Sequence, residues 1–282
     1  MGRLKIVRAE YAGACYGVQR ALDLTLETAE SGKWVCTLGP LIHNPQVVNE
    51  LEDQGIRVAE GVDDCARDAV VIRSHGVVPE VIDILNERGN EVIDATCPHV
   101  QRAQRSAARL AREGYHVLVV GEAGHPEVEG ILAHASREGQ RCTVVGSVED
   151  IPADLVEPVG IVVQTTQSHQ KLEEIVEALQ ARGIEPTVKD TICFATVQRQ
   201  DAARTLASSV DVMLVIGGRN SSNTTRLYEM CQQCGNAVYH VESASEIDRA
   251  WFDGVQSVGI SAGASTPEKQ IQEVVSYLET LK

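Results

Sequence analysis

Three cysteines of this 282-residue chain stand in near-identical surroundings. Cys15-Tyr16-Gly17-Val18-Gln19-Arg20-Ala21 is echoed by Cys97-Pro98-His99-Val100-Gln101-Arg102-Ala103. The third copy, Cys193-Phe194-Ala195-Thr196-Val197-Gln198-Arg199-Gln200, carries one extra residue before Val-Gln-Arg. Asp94 and Asp190 each lie three residues before their cysteine, and the cysteines are 82 and 96 residues apart with 89 residues following the last. Self-similarity at such intervals marks a repeat architecture. Isolated free cysteines usually end as buried apolar thiols, but three in matched positions argue for convergence. Three thiolates do not complete a structural zinc site, which closes with four ligands at short spacing. They suit an iron–sulfur cluster in which one iron lacks a cysteine, because an ordinary electron-transfer cluster takes four. That iron would be a Lewis acid open to substrate.

The repeat extends to other polar residues. His43, His125 and Ser221 each lie 28 residues after their cysteine, following a strand-like run and opening an expected helix. A later strand end in each copy supplies His75, Thr165 and Ser265. Charged imidazoles and helix-start N–H groups hold phosphate locally. Ser221, Ser222, Asn223 and Ser265 read equally as helix caps or turn residues and as phosphate donors. Glu127, two residues after His125, reads either as a first-turn helix acid, as Glu129 does, or as a buried proton source whose pKa burial raises. Cys231-Gln232-Gln233-Cys234 falls inside an expected helix without a second pair, so these thiols read as structural, as do Cys36, Cys65 and Cys142. His99, His116, His134, His169 and His240 read as ordinary satisfied histidines.

The elements that must position these groups alternate between strand and helix. Strand-like runs cover Leu4 to Val7, Trp34 to Thr37, Ala69 to Ile72, Glu91 to Ile93, His116 to Val120, Gly160 to Val163, Pro186 to Val188, Val212 to Ile216 and Ser257 to Ile260. Helical patterns cover Val18 to Ala29, Val100 to Arg112, Gln170 to Arg182, Val197 to Ala207 and Pro267 to Leu281. Each cysteine thus falls in a strand-to-helix turn, where the unpaired N–H groups of the helix start favour thiolate. The expected fold is α/β, with three similar βαβ-type units, each with a small parallel sheet, in a pseudo-threefold arrangement around the cluster. The expected units are 14–96, 97–192 and 193–282, the last joined by the N-terminal strand 1–13. Ligands of such sheets bind beyond the carboxyl ends of the strands.

Composition narrows the partners. Hydrophobic residues make up 43% of the chain and aromatics only 4%, an ordinary globular balance with an aliphatic core. A net charge of −15 leaves no broad basic face, so nucleic acid is not an expected partner. No apolar run nears the ~20 residues of a spanning helix, and no apolar signal region follows Met1, so a soluble cytoplasmic protein is expected. Eight scattered cysteines suit a reducing compartment rather than a disulfide scaffold. A Gly-x-Gly-x-x-Gly nicotinamide or flavin fingerprint is absent from the sequence.

Over almost its whole length the sequence resembles the 4-hydroxy-3-methylbut-2-enyl diphosphate reductase family of the methylerythritol phosphate route to isoprenoids. The resemblance rests on Cys15-x-Gly17-Val18, Ser74-His75-Gly76-Val77, Asp94-Ala95-Thr96-Cys97-Pro98, Gly124-His125-Pro126-Glu127-Val128-Glu129-Gly130, Gln164-Thr165-Thr166, Ile192-Cys193, Asn220-Ser221-Ser222-Asn223 and Ala262-Gly263-Ala264-Ser265. It implies that Cys15, Cys97 and Cys193 ligate a 4Fe–4S cluster with one open iron. It further implies that His43, His75, Ser221, Ser222, Asn223 and Ser265 hold the diphosphate. His125, Glu127 and Thr165 would surround the substrate hydroxyl, with Glu127 as proton donor relayed by Thr165. The implied partners are the allylic diphosphate and a small ferredoxin or flavodoxin. Ala14 departs from the aromatic residue often found before the first cysteine, and the RNA-binding extension of some members is not expected here. Two other readings explain the cysteines but leave other residues without a role, the Ser-Ser-Asn and His set in the first and Glu127 in the second. A three-cysteine dehydratase would remove hydroxide without reductant, and an iron–sulfur redox sensor would have no need of Glu127.

Overall fold

The computed structural model describes residues 4–65 and 69–281. Residues 1–3 and 282, at the outer ends of the expected segments 1–13 and 193–282, lie outside the described residues, as do 66–68 of the first unit. The alternation expected from sequence is realised as parallel β-structure with helical crossovers. The chain opens with β1 (Lys5–Arg8) and α1 (Tyr16–Glu30). Then come β2 (Val35–Leu38), α2 (Pro45–Asp53), β3 (Arg57–Ala59), β4 (Ala69–Ile72), α3 (Pro79–Glu87) and β5 (Glu91–Asp94). After α4 (Pro98–Arg112), the pattern repeats as β6 (His116–Val120), α5 (Pro126–Ser136), β7 (Cys142–Val145), β8 (Val159–Val163), α6 (His169–Ala181) and β9 (Thr187–Lys189). After α7 (Phe194–Ala207), it continues as β10 (Val212–Ile216), α8 (Ser222–Gln232), β11 (Ala237–Val241), β12 (Ser257–Ala262) and α9 (Glu268–Thr280).

These strands form three four-stranded sheets in one common order: β3-β2-β4-β5, β7-β6-β8-β9 and β11-β10-β12-β1. Every pairing is parallel. The first strand of the chain therefore occupies in its sheet the place that β5 and β9 occupy in theirs, with Lys5 opposite Ser257 and Arg8 opposite Ile260. Each cysteine follows one of these three edge strands. The chain divides into two compact units. One comprises the described residues up to Val18, Ile42–Asn49 and the chain from Phe194 on, and holds the sheet containing β1. The other comprises Gln19–Leu41 and Glu50–Cys193 and holds the other two sheets.

The central strands explain why the sheets form. Every residue of β6, β8 and β10 is buried, as expected for parallel strands covered by helices on both faces. Two helices that follow a cysteine lie close against a strand glycine at matched register. A Cβ on Gly160 would stand 2.9 Å from Leu110 of α4, and one on Gly259 would stand 3.0 Å from Leu206 of α7 and 2.6 Å from Met213 Sδ. Gly259→Ala is therefore expected to destabilise the chain by about 1–3 kcal/mol through overpacking. A lower urea midpoint with an unchanged slope would report it.

The structure departs from the sequence reading in four places. Helices α1, α4 and α7 begin at the residue directly after the cysteine, not at Val18, Val100 and Val197. In α4 the reason is local: Cys97 is the N-cap, and Pro98 takes the first helical position, where its missing N–H costs nothing. Edge strands β3, β7 and β11 went unread, because they are short or only half-buried and show no clean alternation. Helix α3 is not among the helices named from sequence, although Pro79 at its start signals it. Finally, α8 stops at Gln232, so Cys234 lies beyond the helix rather than inside it. Among the described residues no helix is long and apolar enough to cross a membrane.

Candidate functional site

The three repeat cysteines are of intermediate exposure. Each is held by the same backbone hydrogen bond. The N–H of Cys97 donates to Ser74 O at 2.9 Å, that of Cys193 to Thr165 O at 2.9 Å, and that of Cys15 to Ala264 O at 3.0 Å. These acceptors lie just beyond β4, β8 and β12, the third strand in each sheet order. Each of the three is thus fixed between a strand end and a helix start.

Of the other thiols, Cys142 and Cys234 are likewise of intermediate exposure. Cys36, Cys65 and Cys231 are buried. Burial pushes the Cys142 thiol up to about 12; it does the same for Cys231, with Cys234 nearby adding to the rise. Burial also raises Cys65. Among the described residues, no three His, Cys, Asp or Glu side chains gather as they would around a single metal ion. The thiols of Cys142 and Cys231 are expected to resist iodoacetamide in the folded chain at about pH 8, where ordinary thiols are partly ionised. Mass spectrometry before and after unfolding would check it. Both folded-state values are raised, so the stability these thiols confer is complete below the ordinary value of about 8.5. It is lost as pH rises from there towards about 12.

In the unit built on two sheets, the loop after β6 leads into α5 through His125, which is the N-cap. Its Nδ1 accepts the Glu127 N–H at 3.1 Å, so a neutral ring carries its proton on Nε2. His75 meets His125 edge-on, with ring centroids 5.6 Å apart. Glu127 is only 1% exposed. Its Oε1 accepts the Thr165 N–H at 2.6 Å, and its Oε2 accepts the Thr165 hydroxyl at 2.9 Å. Glu129, two residues on, is exposed and accepts the Gly124 N–H at 3.3 Å. The first-turn carboxylates are thereby separated: Glu129 closes the turn, while Glu127 is buried against Thr165.

In the other unit, Ser221 caps α8 by accepting the Thr224 N–H at 3.4 Å. Ser222 and Asn223 open the helix and are buried, and among the described residues Asn223 has both amide atoms buried without a hydrogen-bonding partner. An unsatisfied buried amide costs about 1–3 kcal/mol per group, so these two atoms are open to a hydrogen-bonding guest. Ser265 Oγ donates to His43 O at 3.1 Å. A Cβ on Gly218 would stand 2.8 Å from His43 O, so the loop entering Ser221 closes directly on His43. The serines, Asn223 and His43 are thus gathered on one unit, whereas His75 stands with His125 on the other.

Two residues escaped the sequence reading. Asn44, one position after His43, is buried and caps α2, accepting the N–H groups of Gln46 and Val47. Its Nδ2 donates to Ser265 O and Gln270 Oε1, both at 2.9 Å. His43 therefore precedes the cap, while His125 and Ser221 are caps themselves. Thr166 is the other. Counted from the ends of β4, β8 and β12, it matches His75 and Ser265, whereas Thr165 matches Ser74 and Ala264. Its hydroxyl is buried without a partner among the described residues. The Thr165-Thr166 dipeptide was the available signal. The remaining histidines make ordinary contacts where their partners are defined: His116 with Thr143 Oγ1, His134 with Gly130 O, His240 with Gly217 O and His169 with Asp190.

Three α/β sheets of one order, each with a thiol set between a strand end and a helix start, define a class of protein built by internal repetition. A family model described as LytB protein matches residues 6–279, and the chain belongs to that family. The 4-hydroxy-3-methylbut-2-enyl diphosphate reductase of Syntrophotalea carbinolica is 46% identical over 278 residues, with 99% of each chain covered. A solved structure of (E)-4-hydroxy-3-methyl-but-2-enyl diphosphate reductase, described as the terminal enzyme of the non-mevalonate pathway, is similar with a TM-score of 0.73 at 45% identity, covering 98% of this chain and 99% of that one. The E-1-hydroxy-2-methyl-but-2-enyl-4-diphosphate reductase from Plasmodium falciparum is similar with a TM-score of 0.90 at 26% identity, covering 98% of this chain and 88% of the other.

Proposed function

We propose that this chain is an oxidoreductase of isoprenoid biosynthesis, removing the allylic hydroxyl of 4-hydroxy-3-methylbut-2-enyl diphosphate to give isopentenyl and dimethylallyl diphosphate. Full-length relatives bearing that name support the reading. The observation that carries it in the structure is the buried Glu127, bonded through both oxygens to Thr165, whose own carbonyl receives the Cys193 N–H. Proton chemistry and a thiol ligand are thereby tied to one strand end.

The reaction takes up two electrons and two protons, releasing the hydroxyl as water and placing one hydrogen on carbon. The donor set of Cys15, Cys97 and Cys193 fits an iron–sulfur centre, being three half-exposed thiols at helix starts. A 4Fe–4S cluster held by them, its fourth iron without a cysteine, would supply Lewis acidity and single electrons when bound. Glu127 protonates the departing oxygen, with the Thr165 hydroxyl as relay and His125 beside them. His43, His75, Ser221, Ser222, Asn223 and Ser265 hold the diphosphate, so that binding energy remote from the reacting carbon orients the hydroxyl. Protonation of the allyl fragment at either end accounts for the two products. Electrons come from a ferredoxin or flavodoxin, and the enzyme works in the cytoplasm. The repeat divides the chain as 14–96, 97–192 and 193–282 with strand 1–13.

The test is an anaerobic assay of the reconstituted protein with reduced viologen and the allylic diphosphate. Substrate-dependent oxidation with both five-carbon diphosphates formed is the expected result. An intact cluster without viologen oxidation would overturn the reading, and conversion without reductant would point to a dehydratase.

A further inference from the structure

The arginine of each Cys…Val-Gln-Arg motif has no part in the chemistry above, yet all three make the same kind of contact. Arg20, on the helix after Cys15, donates from Nη1 to Thr96 O at 3.3 Å and from Nη2 to Asp94 O at 3.4 Å, in the loop that ends at Cys97. Arg102, on the helix after Cys97, donates from Nη2 to Asp190 O at 2.7 Å, in the loop that ends at Cys193. Arg199, on the helix after Cys193, donates from Nε and Nη2 to Gly13 O at 3.2 and 2.7 Å, in the loop that ends at Cys15. The pattern is cyclic: first helix to second loop, second to third, third to first.

From this we infer that Arg20, Arg102 and Arg199 are positioning residues, each holding the loop of the next cysteine so that three thiols are set as one ligand set. The inference rests on the cluster reading above. The three arginines differ in exposure: Arg20 is half-buried and Arg102 is exposed. Arg199 is buried, at 7% exposure, and a guanidinium keeps its charge there. Its Nη1 is fixed by Ala195 O at 2.8 Å on its own helix, so the extra residue of the third copy has not cost the contact. The loops receiving Arg20 and Arg102 are also braced from within, because Asp94 Oδ1 accepts the Thr96 N–H at 2.9 Å and Asp190 Oδ1 the Ile192 N–H at 3.0 Å. With the cysteine N–H bonds to Ser74, Thr165 and Ala264, each loop is held by its backbone on one side and a charged donor on the other.

The experiment compares Arg102→Gln and Arg102→Lys with wild type and with Arg109→Gln, whose partner is the exposed Glu113 on the same helix. After anaerobic reconstitution, iron and sulfide per chain, the rate of cluster bleaching in air and the EPR spectrum of the reduced protein are recorded. The apoprotein melting temperature is recorded beside them. Arg102→Gln is expected to bleach about 10-fold faster or more, as loss of an outer-shell partner does at other metal centres. Its EPR spectrum should shift, its apoprotein should melt near wild type, and lysine should restore part of the lifetime. Arg109→Gln should match wild type. A wild-type lifetime and spectrum in Arg102→Gln would overturn the inference. So would a lowered apoprotein melting temperature with unchanged cluster lifetime, which would make Arg102 a fold staple only. Should the glutamine variant fail to fold, Arg102→Lys decides by the same cluster readings. Failure of the wild type itself to take up a cluster would instead sink the cluster reading, whatever the arginines do.

Discussion

Glu127→Gln is expected to keep its cluster and its fold while kcat falls about 10²–10⁴-fold, the usual contribution of a positioned acid. The side chain is buried at 1% exposure, and its two oxygens are both engaged by Thr165. Glutamine preserves the shape and keeps one carbonyl oxygen for the Thr165 N–H. Its amide can face the Thr165 hydroxyl, which turns to accept instead of donating. The exchange of one hydrogen bond should therefore change stability by no more than about 1 kcal/mol. What glutamine lacks is a transferable proton. The loss should appear in kcat more than in KM, because the diphosphate contacts are untouched. Steady-state viologen oxidation, with absorbance of the cluster recorded beside it, makes the comparison. A near-wild-type kcat would remove Glu127 from the role of proton donor.

Cys97→Ser is expected to produce the opposite dissociation: a folded chain without a stable cluster and with activity below detection. Cys97 is the N-cap of α4, and serine is among the preferred N-caps, where alanine in its place costs about 0.5–2 kcal/mol. The substitution should leave the melting temperature of the apoprotein unchanged or raise it. A serine hydroxyl, however, is a hard and barely acidic oxygen where iron in a sulfur-rich centre takes a soft thiolate. Iron per chain and visible absorbance after anaerobic reconstitution are the readouts, and wild-type iron retention would exclude Cys97 as a ligand. The pair of variants separates the centre from the proton: one keeps the cluster and loses turnover, the other loses both.

Much of the candidate site was legible because repetition amplifies weak signals. One cysteine before a helix means little, but three before Val-Gln-Arg mark a common turn, and the structure gives all three the same N–H contact to a strand end. The reading failed where that amplification stopped. Strand β7 is only half-buried along most of its length and β3 has three residues, so neither shows a period in sequence. Thr165 is grouped with His75 and Ser265 as a strand-end residue, although counting from the observed strand ends gives that place to Thr166. Two adjacent threonines are indistinguishable until a sheet fixes which one lies one residue further from the strand. Asn44 was hidden by its neighbour, because a histidine draws attention as a ligand and the asparagine beside it is the cap.

The sequence by itself determined the repeat, the α/β class, the parallel strands and the thiols at helix starts, since each of these follows from local periodicity and from residue types a few positions apart. Only the tertiary structure decided which groups meet across long separations. Glu127 reaches Thr165 over 38 residues, Arg20 reaches Thr96 over 76, and Arg199 reaches Gly13 over 186. Sheet order also placed the first strand of the chain beside β12, completing a sheet whose other strands begin at Val212. Local propensity acts within a turn or a strand. A hydrogen bond between distant residues forms only when packed sheets and helices have already brought their backbones into register, and no spacing along the chain records that event.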